Sequence, residues 1–194
     1  MTTPRLTAVE VVGHRGEVAD YLDRESSTLR ERAYAVARTV TDPELPMLTL
    51  GDLGVLRDVE VTDDGEVVLA ITPTYSGCPA MAAMRDDLVR SLGEVGIKAR
   101  VRVQLSPAWS TDWISERGRT ALAEAGISPP RHGVATTRHT GPVPITLGVT
   151  RRSVTCPQCG SAATELTSEF GPTSCKALYR CTDCLEPFEH VKEI

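Results

Sequence analysis

Two Cys-x-x-Cys pairs, Cys156-Pro-Gln-Cys159 and Cys181-Thr-Asp-Cys184, constrain residues 149–194 more than any other feature of the chain. Residues 160–180 separate them, slightly more than the roughly 15–20 residues usual between such pairs. Each pair fits a tight turn that aims both sulfurs at one point. The residues between can form strands that return the second pair to the first, so that four thiolates surround one ion. The segment needs such a centre. Its large apolar residues are Leu166, Phe170, Leu178, Tyr179, Leu185 and Phe188, too few for a piece of this size to fold unaided. Metal binding supplies the missing folding free energy, so the module is expected to be unfolded without it. The competing reading of the same spacing is a pair of disulfides.

Reduced thiols are expected, because the chain reads as cytoplasmic. Residues 1–25 hold no apolar run of signal-peptide length. No stretch of ~18 apolar residues occurs that could span a membrane. The formal net charge is -5, and aromatic residues make up 4% of the chain. That balance excludes a general nucleic-acid partner, which would require a basic surface and rings for stacking. Zinc is the default ion for four thiolates, while an iron–sulfur cluster uses the same ligand count, so composition leaves both open. Cys175 is a fifth thiol with no place in a four-ligand frame. It reads equally as a packing residue, a substitute for one of the four, or a ligand for a transient metal.

The rest of the chain divides by composition into an N-terminal extension (1–25), a compact domain (26–127) and a Pro/Gly-rich linker (128–148) ahead of the cysteine module (149–194). In the compact domain, Thr28 and Glu31 offer a capping box. Leu29, Ala33, Val36 and Val40 follow at helical spacing until Asp42-Pro43-Glu44-Leu45-Pro46 stops the helix. Leu56–Val61 and Val67–Ile71 alternate about an Asp64-Gly65 turn and predict a β-hairpin. A helix from about Cys78 to Leu92 carries Met81, Met84, Leu88 and Leu92 on one stripe. A strand over 99–105 and a helix from about Thr111 to Ala125 complete the order α-β-β-α-β-α. The expected fold class is α+β, a small sheet with helices on one face, plus the tetracysteine ribbon. From Ala125 to Thr164 there is no acidic residue, while Arg131, Arg138, Arg151, Arg152, His132 and His139 are present. This stretch reads as a solvated tether or as a docking strip for an acidic surface.

Cys78 lies in Thr74-Tyr-Ser-Gly-Cys-Pro79, where a strand gives way to a helix. With Pro79 at the first helical position, Cys78 is placed at the cap, where the helix dipole and unpaired N–H groups favour the thiolate. The competing reading is a capping cysteine without chemistry. No P-loop, G-x-S-x-G, G-x-G-x-x-G or H-E-x-x-H is present, and no catalytic set emerges.

Asp42-Pro-Glu-Leu-Pro46, Asp52-Leu-Gly54 and Thr74-Tyr-Ser-Gly-Cys-Pro79 together resemble the signature of the small domain of SufT-type iron–sulfur assembly factors. Phe170-Gly-Pro-Thr-Ser-Cys175-Lys-Ala-Leu-Tyr-Arg-Cys181, with the flanking Cys-x-x-Cys pairs, is similar to the PaaD family of accessory subunits encoded with the phenylacetyl-CoA 1,2-epoxidase. The resemblance spans roughly residues 28–194. It implies a non-catalytic helper in aerobic phenylacetate degradation, where a di-iron subunit oxidises the ring and a separate iron–sulfur reductase feeds it electrons. On that likeness Cys78, with Asp42 and Glu44, is the cluster- or metal-transfer site. Cys156, Cys159, Cys181 and Cys184 form a structural or partner-docking zinc ribbon, and an iron–sulfur cluster is a transient or bound cargo. The implied partners are the reductase or di-iron component of the epoxidase and the iron–sulfur assembly machinery. The sparse apolar content of the ribbon also suits cover by a partner or a second protomer. Two other classes fit the same residues: a structural adaptor that only docks oxygenase components, and a redox subunit carrying its own cluster.

Overall fold

The structure, a computed structural model, describes residues 28–75, 77–131 and 154–194. The N-terminal extension and nearly all of the linker, with His132, Arg138, His139, Arg151 and Arg152, lie outside the described residues. Helix α1 (Leu29–Ala37) starts at the capping box. The Thr28 N–H donates to Glu31 Oε2 at 2.7 Å, and the Glu31 N–H donates to Thr28 Oγ1 at 3.3 Å. The helix ends before the prolines that were expected to stop it. The Thr39 and Val40 N–H groups bond three residues back, tightening the last turn. Val40 leaves the helix, and its carbonyl accepts the Leu50 N–H at 2.7 Å.

Strands β1 (Leu56–Val61) and β2 (Val67–Ile71) pair antiparallel, and Gly65 in the turn takes φ +78. The strict alternation expected of β1 breaks at a bulge between Leu56 and Asp58, which turns both Leu56 and Val59 inward. After helix α2 (Met81–Glu94), strand β3 (Ala99–Val103) returns parallel to β2, giving sheet order β1-β2-β3. Helices α1 and α2 cover one face of this sheet, where Leu69, Ile71, Met84, Leu88 and Leu92 are fully buried. The other face carries charge pairs, Arg102 to Glu60 and Arg100 to Glu66, each at 3.1 Å.

The single helix expected over Thr111–Ala125 is instead a 3-10 turn (Thr111–Trp113) and helix α3 (Glu116–Glu124). They are divided by the extended Ile114 and by Ser115, whose hydroxyl caps α3 by accepting the Gly118 N–H. Gly54 (φ +66) permits the close approach of Trp113, since a Cβ there would lie 2.6 Å from the Trp113 Cβ.

A second sheet joins the two parts of the molecule. Strands β5 (Thr164–Ser168), β6 (Lys176–Cys181) and β7 (Pro187–Val191) form an antiparallel ribbon. The two-residue strand β4 (Ile127–Ser128), leaving α3, adds parallel to β7, giving the order β4-β7-β6-β5. Val191 is buried in the core of the first layer, His190 Nδ1 lies 3.1 Å from the Ser128 carbonyl, and the Thr111 N–H donates to the Ile194 carbonyl at 3.2 Å. Part of the cover that the apolar-poor ribbon requires therefore comes from its own chain. No helix among the described residues is long and apolar enough to cross a membrane.

Candidate metal centre and thiol pocket

Two knuckles present the ribbon sulfurs. In the first, the Cys156 N–H donates to Ser161 O and the Gly160 N–H to Cys156 O, both at 2.9 Å, with Gly160 at φ +74. In the second, the Cys181 N–H donates to Glu186 O at 3.0 Å and the Cys184 N–H points at Cys181 Sγ at 3.5 Å. The sulfurs of Cys156, Cys159, Cys181 and Cys184 all lie within 4.8 Å of one another. Cys156 and Cys184 are 3.7 Å apart, and Cys159 and Cys181 3.6 Å. A tetrahedral ion with bonds of about 2.3 Å sets sulfur–sulfur edges near 3.8 Å, so the four fit one ion. A disulfide would need roughly 2.05 Å, and none of the six cysteines forms one. Donation from the Cys184 N–H lowers the Cys181 thiol to about 7. For Cys184, the Glu186 N–H favours the thiolate, but burial and the sulfurs of Cys159, Cys181 and Cys156 prevail and push it up to about 12. That crowding of sulfurs is what a bound cation neutralises.

The second site is a recess where the two sheets meet. Asp42, Glu44 and Cys78 line it from the first layer, and Thr173, Cys175 and Lys192 from the ribbon. Asp42-Pro43 starts a turn in which Asp42 Oδ1 accepts the N–H groups of both Glu44 and Leu45 at 2.8 Å. Burial raises the Asp42 carboxyl against those two donors; the Glu44 charge adds to the rise and Lys176 opposes it. The structure thus brings Cys78 together with Asp42 and Glu44. It also gives Cys175 a place the sequence did not indicate, outside the four-sulfur frame, facing this recess with the Thr173 hydroxyl 3.2 Å from its sulfur.

The expectation that Cys78 caps a helix is corrected. Helix α2 begins at Met81 with Ala80 as its N-cap, two residues beyond Cys78. Burial of the half-buried thiol raises its pKa. The Ala80 N–H opposes that rise, and the charges of Asp42, Cys175 and Glu44 reinforce it. At neutral pH the thiol is therefore protonated.

Several contributors received no structural role from the sequence. Asp52, buried, is the hub of the loop that follows Asp42. It accepts hydroxyl bonds from Thr49 and from Ser115 (2.8 Å) and pairs with the Arg117 guanidinium. The spacing Thr49-Leu-Gly-Asp52 resembles a reciprocal cap and is the one local signal for it. Trp109 closes the recess floor, its indole N–H donating to Leu53 O at 2.8 Å. Lys176 is buried and bonded to Glu189 at 2.7 Å. Nothing in the sequence near Lys176 or Trp109 indicates these contacts.

Two family models match the chain. Residues 30–105, which include Asp42, Glu44 and Cys78, match a model described as iron-sulfur cluster assembly protein. Residues 140–192, which include Cys175 and the four-sulfur frame, match the PaaD zinc beta ribbon domain. An Escherichia coli (strain K12) protein, named as one subunit of a "Putative 1,2-phenylacetyl-CoA epoxidase", is 42% identical over 160 residues, 82% of this chain and 90% of its own length. An "Fe-S protein maturation auxiliary factor" of Porphyromonas gingivalis (strain ATCC BAA-308 / W83) is 32% identical over 110 residues, 56% of this chain and 96% of its own. The Bacillus subtilis (strain 168) maturation auxiliary factor YitW is 29% identical over 96 residues, 48% of this chain and 93% of its own.

Proposed function

The chain belongs to the PaaD family, and on that premise we propose that it is a non-catalytic accessory protein delivering iron, free or in a cluster, to a component of a phenylacetyl-CoA epoxidase. The observation that carries this reading is the recess itself. A half-buried thiol faces two carboxylates in the part of the chain that matches iron–sulfur assembly proteins. Cys78 is the transfer ligand in this reading, and Asp42 and Glu44 supply the oxygen donors. Iron is cargo here: as it binds, an iron–water or iron–thiolate bond of the donor breaks, an iron–sulfur bond to Cys78 forms, and the thiol proton leaves to water. A client ligand then displaces Cys78. A thiol that holds its proton when empty suits a site that must release its ion.

Zinc is the ion we assign to Cys156, Cys159, Cys181 and Cys184. One tetrahedral ion fits the close sulfur packing, whereas a multinuclear cluster spreads its thiolates over several irons. The ribbon is then structural, and the client is an oxygenase component, either the reductase or the di-iron subunit.

The test is the Cys78→Ser variant in cells that express the complete epoxidase and lack the native accessory protein. Epoxidase activity and client iron content should drop to the level of cells without the accessory protein, while the variant keeps its abundance and thermal midpoint. Full activity would eliminate the transfer role and leave a docking role for the ribbon.

A further inference from the structure

We propose that Cys175 of the ribbon and Cys78 of the assembly fold are two ligands of one cargo site, completed by Asp42, that takes a single thiophilic divalent transition-metal ion such as ferrous iron. The proposal rests on the reading of Cys78 as the cargo thiol and adds a ligand from the other half of the chain. Both thiols line the same recess. Cys175 belongs to neither knuckle, so it is not spent on the ribbon ion. Both backbone bonds to Asp42 fall on Oδ1, which fixes the carboxylate and leaves Oδ2 to serve as a ligand. Two soft sulfurs and one hard oxygen suit a borderline cation better than magnesium or calcium.

The recess measures about 30 Å³. That is room enough for one ion or one water. The two nearby cations have other partners. Lys192 Nζ donates to Ser174 O at 2.9 Å and sits 4.0 Å over the Phe170 ring, and Lys176 is paired with Glu189. On binding, two sulfur–metal bonds replace metal–water bonds and two thiol protons leave to solvent, with no change of oxidation state.

The experiment uses the full chain, reduced and anaerobic, with one zinc per chain in the ribbon by elemental analysis. It is titrated with Co²⁺, whose bonds to thiolate give near-ultraviolet charge-transfer absorption. The wild type should take up one equivalent of Co²⁺ beyond the zinc, with that absorption. Cys175→Ser and Cys78→Ser should each lose about tenfold or more in affinity and part of the absorption, with zinc content and far-ultraviolet circular dichroism unchanged. A Cys175→Ser protein that binds Co²⁺ as the wild type does, while Cys78→Ser does not, overturns the shared site and leaves the Cys78 reading standing. No second equivalent in the wild type overturns both. Proximity is checked separately with dibromobimane, which fluoresces only when it bridges two thiols. A Cys78–Cys175 bridge in the tryptic digest is expected, and its absence overturns the proposal even where a serine variant folds poorly.

Discussion

Removing the ribbon metal should weaken the far side of the molecule, by an amount the contacts set. Without its ion the ribbon loses the energy that folds it, and the first layer loses what the ribbon gives it. Val191 is buried in the first layer's core, and burying such a side chain is worth about 2 kcal/mol. The β4–β7 pairing and the bond from the Thr111 N–H to Ile194 O add about 1 kcal/mol each. The sum is about 4 kcal/mol, a large share of the roughly 5–15 kcal/mol that stabilises an ordinary domain. Both tryptophans, Trp109 and Trp113, lie in the first layer and none lies in the ribbon, so tryptophan fluorescence reports the layer away from the ribbon ion. With a urea dependence near 2 kcal/mol per molar, chelation should lower the tryptophan-reported midpoint by about 2 M. Trypsin cleavage after Lys176 and Arg180 in β6 reports separately that the ribbon has opened. A midpoint that moves less than about 0.3 M after the ribbon becomes cleavable would refute the coupling, since the Val191 contribution alone exceeds that shift.

Asp42→Asn should separate stability from metal binding. Because burial holds the folded carboxyl above its unfolded value, Asp42 stabilises the fold below the unfolded pKa and loses that contribution as pH rises through the folded one. The amide oxygen can still accept both backbone bonds, so at pH 7 the variant should be at least as stable in urea as the wild type, yet bind Co²⁺ more weakly. Asp52→Ala strands the hydroxyls of Thr49 and Ser115. It should cost about 3 kcal/mol by chemical denaturation, with little of that from the half-exposed Arg117. Gly54→Ala forces a side chain into positive φ against Trp113. It should cost about 2–3 kcal/mol in the same assay. Ribbon metal affinity should fall as pH is lowered, because each ligand must shed a proton, and competition with a chelating dye at several pH values measures it.

What the sequence made legible is what short-range chemistry dictates. The capping box at Thr28, the turn at Gly65, the Met84–Leu92 stripe and the four-sulfur frame each depend on residues close in the chain, or on a ligand count that spacing alone reveals. What it concealed depends on distance along the chain. The β1 bulge follows from packing demands on Leu56 and Val59 together, which strict alternation cannot meet. Cys78 looked like a cap because Pro79 suits the first helical position. Two further residues of turn, Pro79 and Ala80, moved the helix start and left burial to govern the thiol instead of the dipole. Residue-level reading left Cys175 without a single assignment, because Asp42, Glu44 and Cys78 across the recess are more than 90 residues away in sequence and meet it through a strand pairing, β4 with β7, to which β4 gives only two residues.

In the proposed function, that pairing also ties the ribbon ion to the cargo thiol. Strand β6 runs from Lys176, adjacent to Cys175, to Cys181, a ligand of the ribbon frame. Strand β7 starts just after Cys184 and ends at Val191, beside the recess-lining Lys192. Both strands therefore have one end at the four sulfurs and the other at the recess. At about 3.3 Å per residue, they hold the two sites roughly 15–20 Å apart. An ion at the frame fixes the register of β6 against β7, and that register presents Cys175 and Thr173 toward Cys78. A ribbon that lost its ion would withdraw one wall of the recess, and with it Cys175, the proposed second cargo ligand, while Asp42 and Cys78 stayed in place. The proposed recess site therefore carries an expected order of loading: the ribbon ion first, then the cargo ion.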